Sequence, residues 1–581
     1  MQLSEKQREK AYNPCIVKLQ QQNKQCLLYG ECGIGKTLIS CSIAKDVFNT
    51  GPVVLIMENM YFTEWKRTLL ELYGESFFSE IDLKLPSTYL SGNCLTLNTS
   101  VKNKLGLEFI QTALIRLSQQ AFTRPLYVFL DTNMIMAKLP AHKVSFDDKH
   151  YGREYTDFFV HIMPLLVPFC INAKLLILDE CDKMRGNTDM HFRKTFLDII
   201  ESYFIPNEIP TLIVTGTPFS SGQVAEAQNV AEFMGWNFTH SNALRYLQDH
   251  MVVCKKIDVN DENFPPLAVS LVNIDSAASW GMPDNMKIFV RMYVGMLDFS
   301  EGGTIGGYDE KNYYSDNVFI ATLMGILSCL EKQQQILITA ERIKFCNVLA
   351  FLVELIFNQV TDDRLNTIVP ENLHHYFEKG DDGNYSFKHK FVGDLNSQVN
   401  IFVHNSEVWD SWNGTTSHSV SDEYLVESRA KLNSGEIQVY IQGLQCGAKN
   451  WSAVPTNQEK YIPHLFPHGA SYMNVMLVQA ISRTNRFNAH GVCNVVLFSR
   501  SSKEDLKKNF FQLQTKETDK RSILSDSKAE MDSSLDAKWI EEHFQPATYD
   551  AFEQVIHNRQ KKFVCVSGII PLPNLSINMV L

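Results

Sequence analysis

Residues 27–40 read "LLYGECGIGKTLIS": an apolar run, three glycines, then Gly-Lys-Thr and a second apolar stretch. Gly30, Gly33, Gly35, Lys36 and Thr37 satisfy the pattern G-x-x-x-x-G-K-T, with Ile34 inside it and Leu38 opening the second apolar stretch. Glycines let main-chain N–H groups turn inward and approach anionic oxygens with no side chain in the way. The start of a helix adds partial positive charge. In such a loop the lysine reaches the β- and γ-phosphates of a nucleotide and the threonine hydroxyl ligates Mg2+. A glycine-rich turn with a chance lysine is the bland alternative. The complete match and its flanks weigh against it.

A nucleotide loop needs a carboxylate for the metal and a group that activates water. "LLILDECD", at the end of another apolar run, supplies both. Asp179 can hold Mg2+ directly or through water, and Glu180 can polarise the attacking water. Acidic residues often simply end strands, so the pair is weak alone and gains weight only as a partner of the loop.

These groups need a scaffold that brings distant segments to one edge. "QCLLYG" reads as a short buried strand, and "KTLISCSIAKDVF" places Leu38, Ile39, Ile43 and Val47 at roughly helical spacing. "GPVVLIMEN", "LYVFLDT" (126–132), "AKLLILDE" (173–180) and "PTLIVTGTP" (210–218) are further strand-length apolar runs, separated by helix-compatible stretches. That alternation predicts a parallel sheet with crossover helices. Residues 256–315 read as a linker with excursions, around "NDENFPPLAV" and "EGGTIGGYDEK". "FIATLMGILSCLEKQQQILITAERIKFCNVLAFLVELIF" starts a second helix–strand–helix series, continued by strands in "GEIQVYIQGLQ" and "VCNVVLFSR". Residues 360–425 are polar and read as an insertion, and another is expected near 75–125. Residues past 500 are charged and helical. The expected organisation is α/β, with one unit over 1–255, a second over 316–500 and a helical C-terminal extension over 501–581.

Composition sets the outer limits. The chain has 581 residues, 45% hydrophobic and 20% charged, which suits several domains with large cores. No apolar run approaches the ~18 residues of a membrane span, so no membrane partner is expected. The charged N-terminal stretch "MQLSEKQREKAYNPC" does not read as a secretory signal, so a cytoplasmic or nuclear location is the expectation. The thirteen cysteines form no Cys-x-x-Cys pair, and several, such as Cys170 and Cys346, lie in apolar stretches. They read as reduced core thiols. His464 and His468 have a ligand-like spacing without a nearby cysteine, and no zinc site is expected. The net charge of −11 lacks a whole-chain basic footprint, although a local basic groove remains compatible with nucleic acid. The C-terminal Lys507, Lys508, Lys516, Lys520 and Arg521 read as either a nucleic-acid contact or, preferably, a packed brace.

The order Gly-Lys-Thr, then Asp-Glu-Cys-Asp (179–182), then "TGTP" resembles the superfamily 2 helicase-like ATPases. The resemblance covers roughly residues 1–500 and is dense only at the motifs. It implies two tandem RecA-like domains, ATP and Mg2+ as cofactors, and DNA or RNA as a partner. It also implies that Thr215, Gly216 and Thr217 couple ATP state to domain movement. "QAISRTNRF" (479–487) resembles the last motif of the family, with Gln479, Arg483 and Arg486 in place. The resemblance implies that the two arginines belong to the second domain and reach the γ-phosphate. Spaced three apart, they also share one side of a helix. Gln7, in a helix before the loop, stands where the adenine-reading glutamine is expected. "VVLIMENMYFTEWKRTL" resembles the segment of Swi/Snf-type translocases in which a Trp follows the strand. "LLYGECGIGKT" and "ESRAKLNSGEIQVYI" resemble the nucleoside triphosphatases and early transcription-factor ATPases of large cytoplasmic DNA viruses. "QGLQCGAKN" departs from the usual Ser/Thr-Ala-Gly-Gly form of the fifth motif.

The function expected on these grounds is a nucleic-acid-dependent ATPase of the helicase or translocase kind. It would serve viral transcription or replication beside other proteins of those processes, with packaging in a virion as one location. The other reading is a structural or accessory NTPase that holds a multiprotein particle without translocation. A metabolic kinase leaves "TGTP" and "QAISRTNR" without a purpose.

Overall fold

Seven apolar segments of the first 260 residues fold as one parallel sheet: β1 (Gln25–Gly30), β2 (Pro52–Met57), β3 (Cys94–Leu97), β4 (Leu126–Asp131), β5 (Leu175–Asp179), β6 (Thr211–Thr215) and β7 (Met251–Cys254). Their spatial order is β3-β4-β2-β5-β6-β1-β7. Strand alternation divides the apolar residues between two faces. Cys26, Leu28, Val53, Leu55, Leu175 and Ile177 enter one core, whereas Leu27, Val54, Ile56, Leu176 and Leu178 enter the other. Helices α3 (Lys36–Val47) and α4 (Phe62–Tyr73) cover the first face through Ile39, Ile43, Trp65 and Leu69. They are preceded in the chain by α1 (Glu5–Gln7) and α2 (Asn13–Gln20). Each such side chain taken out of water contributes about 1.5–3 kcal/mol. The structure is a computed structural model and describes residues 2–21, 24–30, 33–81, 92–98, 107–118, 125–135, 162–180, 197–216, 224–237, 242–259, 267–296, 314–388, 398–405, 408–410, 422–447, 451–457, 459–469, 480–481, 483–484, 492–501, 544–558 and 567–571.

The remainder builds a second α/β unit. The chain divides into Met1–Asp261 with Ser522–Asp526, and Glu262–Arg521 with Ser527–Leu581. The second sheet contains β8 (Leu267–Asn273), β9 (Ile336–Ala340), β12 (Ile401–His404), β13 (Val408–Asp410), β14 (Val439–Gly443), β15 (His464–Phe466), β16 (Cys493–Ser499) and β17 (Ile569–Pro571), while β10 (Phe377–Lys379) and β11 (Tyr385–Phe387) form a separate hairpin. Its order is β13-β12-β14-β9-β15-β16-β8-β17. The six inner strands run parallel, and β13 and β17 add antiparallel edges. Helix α5 (Asp316–Glu331) is buried continuously from Val318 to Leu330, so apolar residues surround it. Helix α6 (Ile343–Phe357) packs beside it through Phe345, which stacks on Phe319 at 4.6 Å.

The irregular stretches are more structured than their composition predicts. The expected linker 256–315 supplies β8, which pairs with β16 on one side and β17 on the other. The polar segment 360–425 supplies β12, which pairs with β14 in the body of the sheet. The segment near 75–125 supplies β3 and a helix, Leu107–Ser118. Beyond residue 500, the described residues form α7 (Tyr549–Ile556) and the strand β17. No helix among the described residues is long and apolar enough to cross a membrane.

A candidate phosphate and metal site at the carboxyl ends of the first sheet

Three neighbouring strands, β5, β6 and β1, end at the same edge of the first sheet. Parallel order therefore brings the glycine loop, the Asp179-Glu180 pair and Thr215-Gly216 together, at the edge where α/β sheets bind ligands. The loop is shaped by backbone freedom. Gly33 has φ +98° and Gly35 has φ +87°, in the region that favours glycine. Gly35 is the N-cap of α3, and a Cβ there would lie 2.8 Å from Gln7 Nε2. Ile34 is buried, which anchors the loop in the core between the two glycines.

Lys36 opens the twelve-residue α3 and folds back across the loop. Its Nζ donates to the Gly30 carbonyl at 2.9 Å and lies 3.8 Å from Glu180 Oε1. Thr37 and Leu38 follow in the first turn of the helix, both partly exposed. A helix start preceded by two glycines of positive φ is the kind of backbone that suits an anion.

Glu180 has φ +45°, unusual for a residue with a Cβ. The reason is visible in its hydrogen bonds. Its N–H donates to the Val214 carbonyl at 3.0 Å, and its carboxylate accepts from Thr215 Oγ1 and Gly216 N–H, both at 3.1 Å. Three bonds to β6 and the residue after it offset a left-handed backbone costing about 1–3 kcal/mol. Asp179, one position earlier, is buried and accepts from the Trp65 indole N–H at 2.6 Å. Burial, reinforced by the neighbouring Glu180 charge, pushes the Asp179 carboxyl up to about 8, while Trp65 and Lys36 act in the opposite direction.

Gln7 is also at the loop. Its Nε2 donates to the Ile34 carbonyl at 2.8 Å. Its Oε1 accepts from Ser4 N–H at 2.9 Å, within a capping box completed by Gln7 N–H to Ser4 Oγ at 3.1 Å. Tyr12 donates to Asp46 of α3 at 2.8 Å, so the N-terminal segment is tied to the loop and to the helix it opens. The structure therefore assembles Gln7, Gly30, Gly33, Ile34, Gly35, Lys36, Thr37, Leu38, Asp179, Glu180 and Thr215 in one unit. Thr217, Gln479 and Arg486 lie outside the described residues.

Arg483 is held by main-chain carbonyls of its own unit. It is 3% exposed inside the second unit, with Nε donating to the Gly447 carbonyl at 2.8 Å and Nη1 to the Trp451 carbonyl at 3.3 Å. In this geometry it braces the chain after β14. A charge in the sequence does not reveal that it will be committed to main-chain carbonyls. His464 lies in the same polar core. Its Nε2 meets Thr339 Oγ1 at 2.7 Å, and Gln442 Nε2 donates to that hydroxyl at 2.9 Å. His468 instead stands edge-on to Phe345 at 4.4 Å. Among the described residues, no group of three His, Cys, Asp or Glu side chains is placed to hold a metal ion, and the cysteines are unbridged and buried.

The buried histidines make a pH prediction for the second unit. Burial and then the Arg483 charge push His464 down to about 3, and burial pushes His557 down to about 4. An unfolded histidine titrates near 6.5, so between these values the unfolded chain binds the proton first. Stability is then fully present above ~6.5 and falls with pH below it, by on the order of 2 kcal/mol for His464 between ~6.5 and ~5. His557 adds in the same direction, reduced by its solvent exposure. The raised Asp179 carboxyl of the first unit acts in the opposite sense over this range, so the contrast between two proteins isolates the histidine: from neutral pH to pH ~5 the melting temperature of wild type should drop further, or rise less, than that of His464→Gln. Equal pH slopes for the two proteins would refute the assignment.

Among the side chains that matter here, sequence reasoning missed Ser4 and the part played by Trp65. The capping pattern Ser-x-x-Gln over residues 4–7 was the available signal for the first. Nothing local signals a contact between residues 114 apart.

No family model matches the chain, and no curated protein matches it. Among solved structures, it is similar to the Hef helicase domain of Pyrococcus furiosus, at 12% identity and a TM-score of 0.39, over 88% of this chain and 100% of that one. It is also similar to the helicase MrfA bound to DNA and AMPPNP, at 10% identity and 0.41, over 90% of this chain and 52% of that one. For MrfA bound to DNA the values are 10% and 0.42, over 98% of this chain and 67% of that one. The chain thus spans about half the length of MrfA in the nucleotide-bound comparison. A likeness at that level carries no chemistry, which rests on the side chains of the first unit.

Proposed function

We propose that the first unit binds and hydrolyses ATP with Mg2+, within a nucleic-acid-dependent ATPase of the helicase or translocase kind. The observation that carries this reading is the convergence, at one sheet edge, of a glycine loop closed by Lys36 and the carboxylates of Asp179 and Glu180. The donor set fits a hard divalent cation: the Thr37 hydroxyl and the Asp179 carboxylate are oxygen ligands of the kind Mg2+ takes. The raised Asp179 carboxyl also fits, because a cation beside it would supply the charge that burial and Glu180 withhold. Mg2+, when bound, supplies charge neutralisation for the phosphates.

The chain's own residues have distinct tasks. Main-chain N–H groups of residues 33–37 and the α3 terminus bind phosphate oxygens. Lys36 exchanges the Gly30 carbonyl for a phosphate oxygen. Glu180 accepts a proton from water, and its bonds to Thr215 and Gly216 tie that acceptor to the end of β6. Gln7, hydrogen-bonded to the loop, is the candidate reader of the adenine edge.

The motif order supports a nucleic-acid track, and the likeness of the loop to viral ATPases suggests viral transcription or replication as the setting. An accessory NTPase without translocation is the second reading, favoured by the departure in "QGLQCGAKN" and by the acidic balance of −11. An ATPase assay against single- and double-stranded DNA and RNA separates them. Hydrolysis that rises with added polynucleotide is the expected result; a rate indifferent to all four supports the accessory reading, and no hydrolysis at all overturns both.

A further inference from the structure

Trp65 is 1% exposed and sits in the core shared by Ile39, Leu69 and Ile177. Its helix is fixed on the sheet nearby, where Phe62 meets Phe129 edge-on at 5.3 Å. Filling that space needs only an apolar ring. A buried indole N–H also needs an acceptor, and here it receives a carboxyl oxygen 2.6 Å away. The carboxylate belongs to Asp179, the residue that the ATP reading assigns to Mg2+. Helix α4 follows β2 in the chain, and β2 lies beside β5 in the sheet, so the bond ties the helix to the end of the neighbouring strand.

We propose that Trp65 is a positioning residue for the metal carboxylate: its indole N–H holds Oδ2 of Asp179 and so fixes the orientation in which the carboxylate meets Mg2+. This rests on the ATP reading. Hydrogen bonds behind a ligating carboxylate do two things: they select one rotamer before the metal arrives, and they keep the ligand from swinging as phosphates bind. Loss of such outer partners typically lowers metal affinity about 10–100-fold. The packing contribution of the same ring acts on folding and is independent of Mg2+, so the two roles separate experimentally.

The test uses the full chain and a fluorescent ATP analogue, with MgCl2 titrated into wild type and Trp65→Phe. The Mg2+ concentration for half-maximal tight binding should rise about 10–100-fold in the variant, while analogue affinity in EDTA stays unchanged. An unchanged Mg2+ midpoint, or an equal loss of affinity with and without Mg2+, overturns the proposal. If Trp65→Phe does not fold, benzothienylalanine at position 65 preserves the indole shape without the N–H and takes its place. In wild type labelled with 15N at the indole nitrogens, the Trp65 signal should shift when Mg2+ joins the nucleotide complex; a signal that stays still also overturns the proposal. Failure of wild type to bind the analogue in any Mg2+ concentration would sink the ATP reading itself, an outcome distinct from the others.

Discussion

Lys36→Ala is expected to lower ATP hydrolysis by about 10²-fold or more and to weaken nucleotide binding. The ammonium lies at the centre of the proposed site, 2.9 Å from the Gly30 carbonyl and 3.8 Å from Glu180 Oε1. Its side chain is 12% exposed, so solvent replaces its charge poorly. Removing it leaves Asp179 and Glu180 with less compensation for their charge, and leaves incoming phosphates without a cation from the loop. The loss therefore falls on the ground state and on the transition state, and binding and turnover decline together. The checks are a turnover assay and nucleotide titration on the same preparation. A variant that keeps more than about a tenth of the wild-type rate, against the ~10²–10³-fold effect typical of such contacts, shows that this loop does not do the chemistry.

Glu180→Gln should separate binding from turnover. The amide keeps the shape and one oxygen acceptor, so it can still meet either Thr215 Oγ1 or the Gly216 N–H, and it loses the carboxylate that takes a proton. Turnover should fall by about 10²–10⁴-fold, the range for a positioned general base. Nucleotide binding should persist, because neither Lys36 nor the helix start is touched and one negative charge near the phosphates is gone. The backbone at φ +45° gains no relief from the substitution, so the melting temperature should change little. Equal losses of binding and turnover would assign Glu180 to architecture and leave the water activator unidentified.

Which parts of the fold and site could be read in advance depended on how far apart the partners are. Parallel strands covered on both faces announce themselves as continuous apolar runs, and "LLILD" and "TLIVT" became β5 and β6. The loop was legible because its constraint is local: glycines at fixed spacing before a helix. β3 was not, being four residues within a polar region. β8 was obscured by the prolines before it and by Ser270 and Asn273, polar residues that nonetheless end up buried. Trp65 showed as an aromatic after a strand, but its acceptor lies 114 residues on. Arg483 showed as a charge, and only packing reveals two carbonyls beneath it.

β8 has a consequence for the timing of folding. Asn273 at its end bonds to Ser501, 228 residues away, and to the Phe544 carbonyl, 271 residues away. Gly568, at φ +79°, accepts from Asn273 N–H at 2.9 Å and leads into β17; a Cβ on it would lie 2.4 Å from Ala547 N. The first strand of the second unit thus waits on both sides for segments made hundreds of residues later. During synthesis at about 5–20 residues per second, β8 stays for tens of seconds outside the ribosome with both edges unpaired. The first unit holds all its described strands within residues 25–254 and can close meanwhile. High contact order slows the second unit further. That interval is when the chain is most exposed to strand exchange between copies, and when a chaperone would have most to hold.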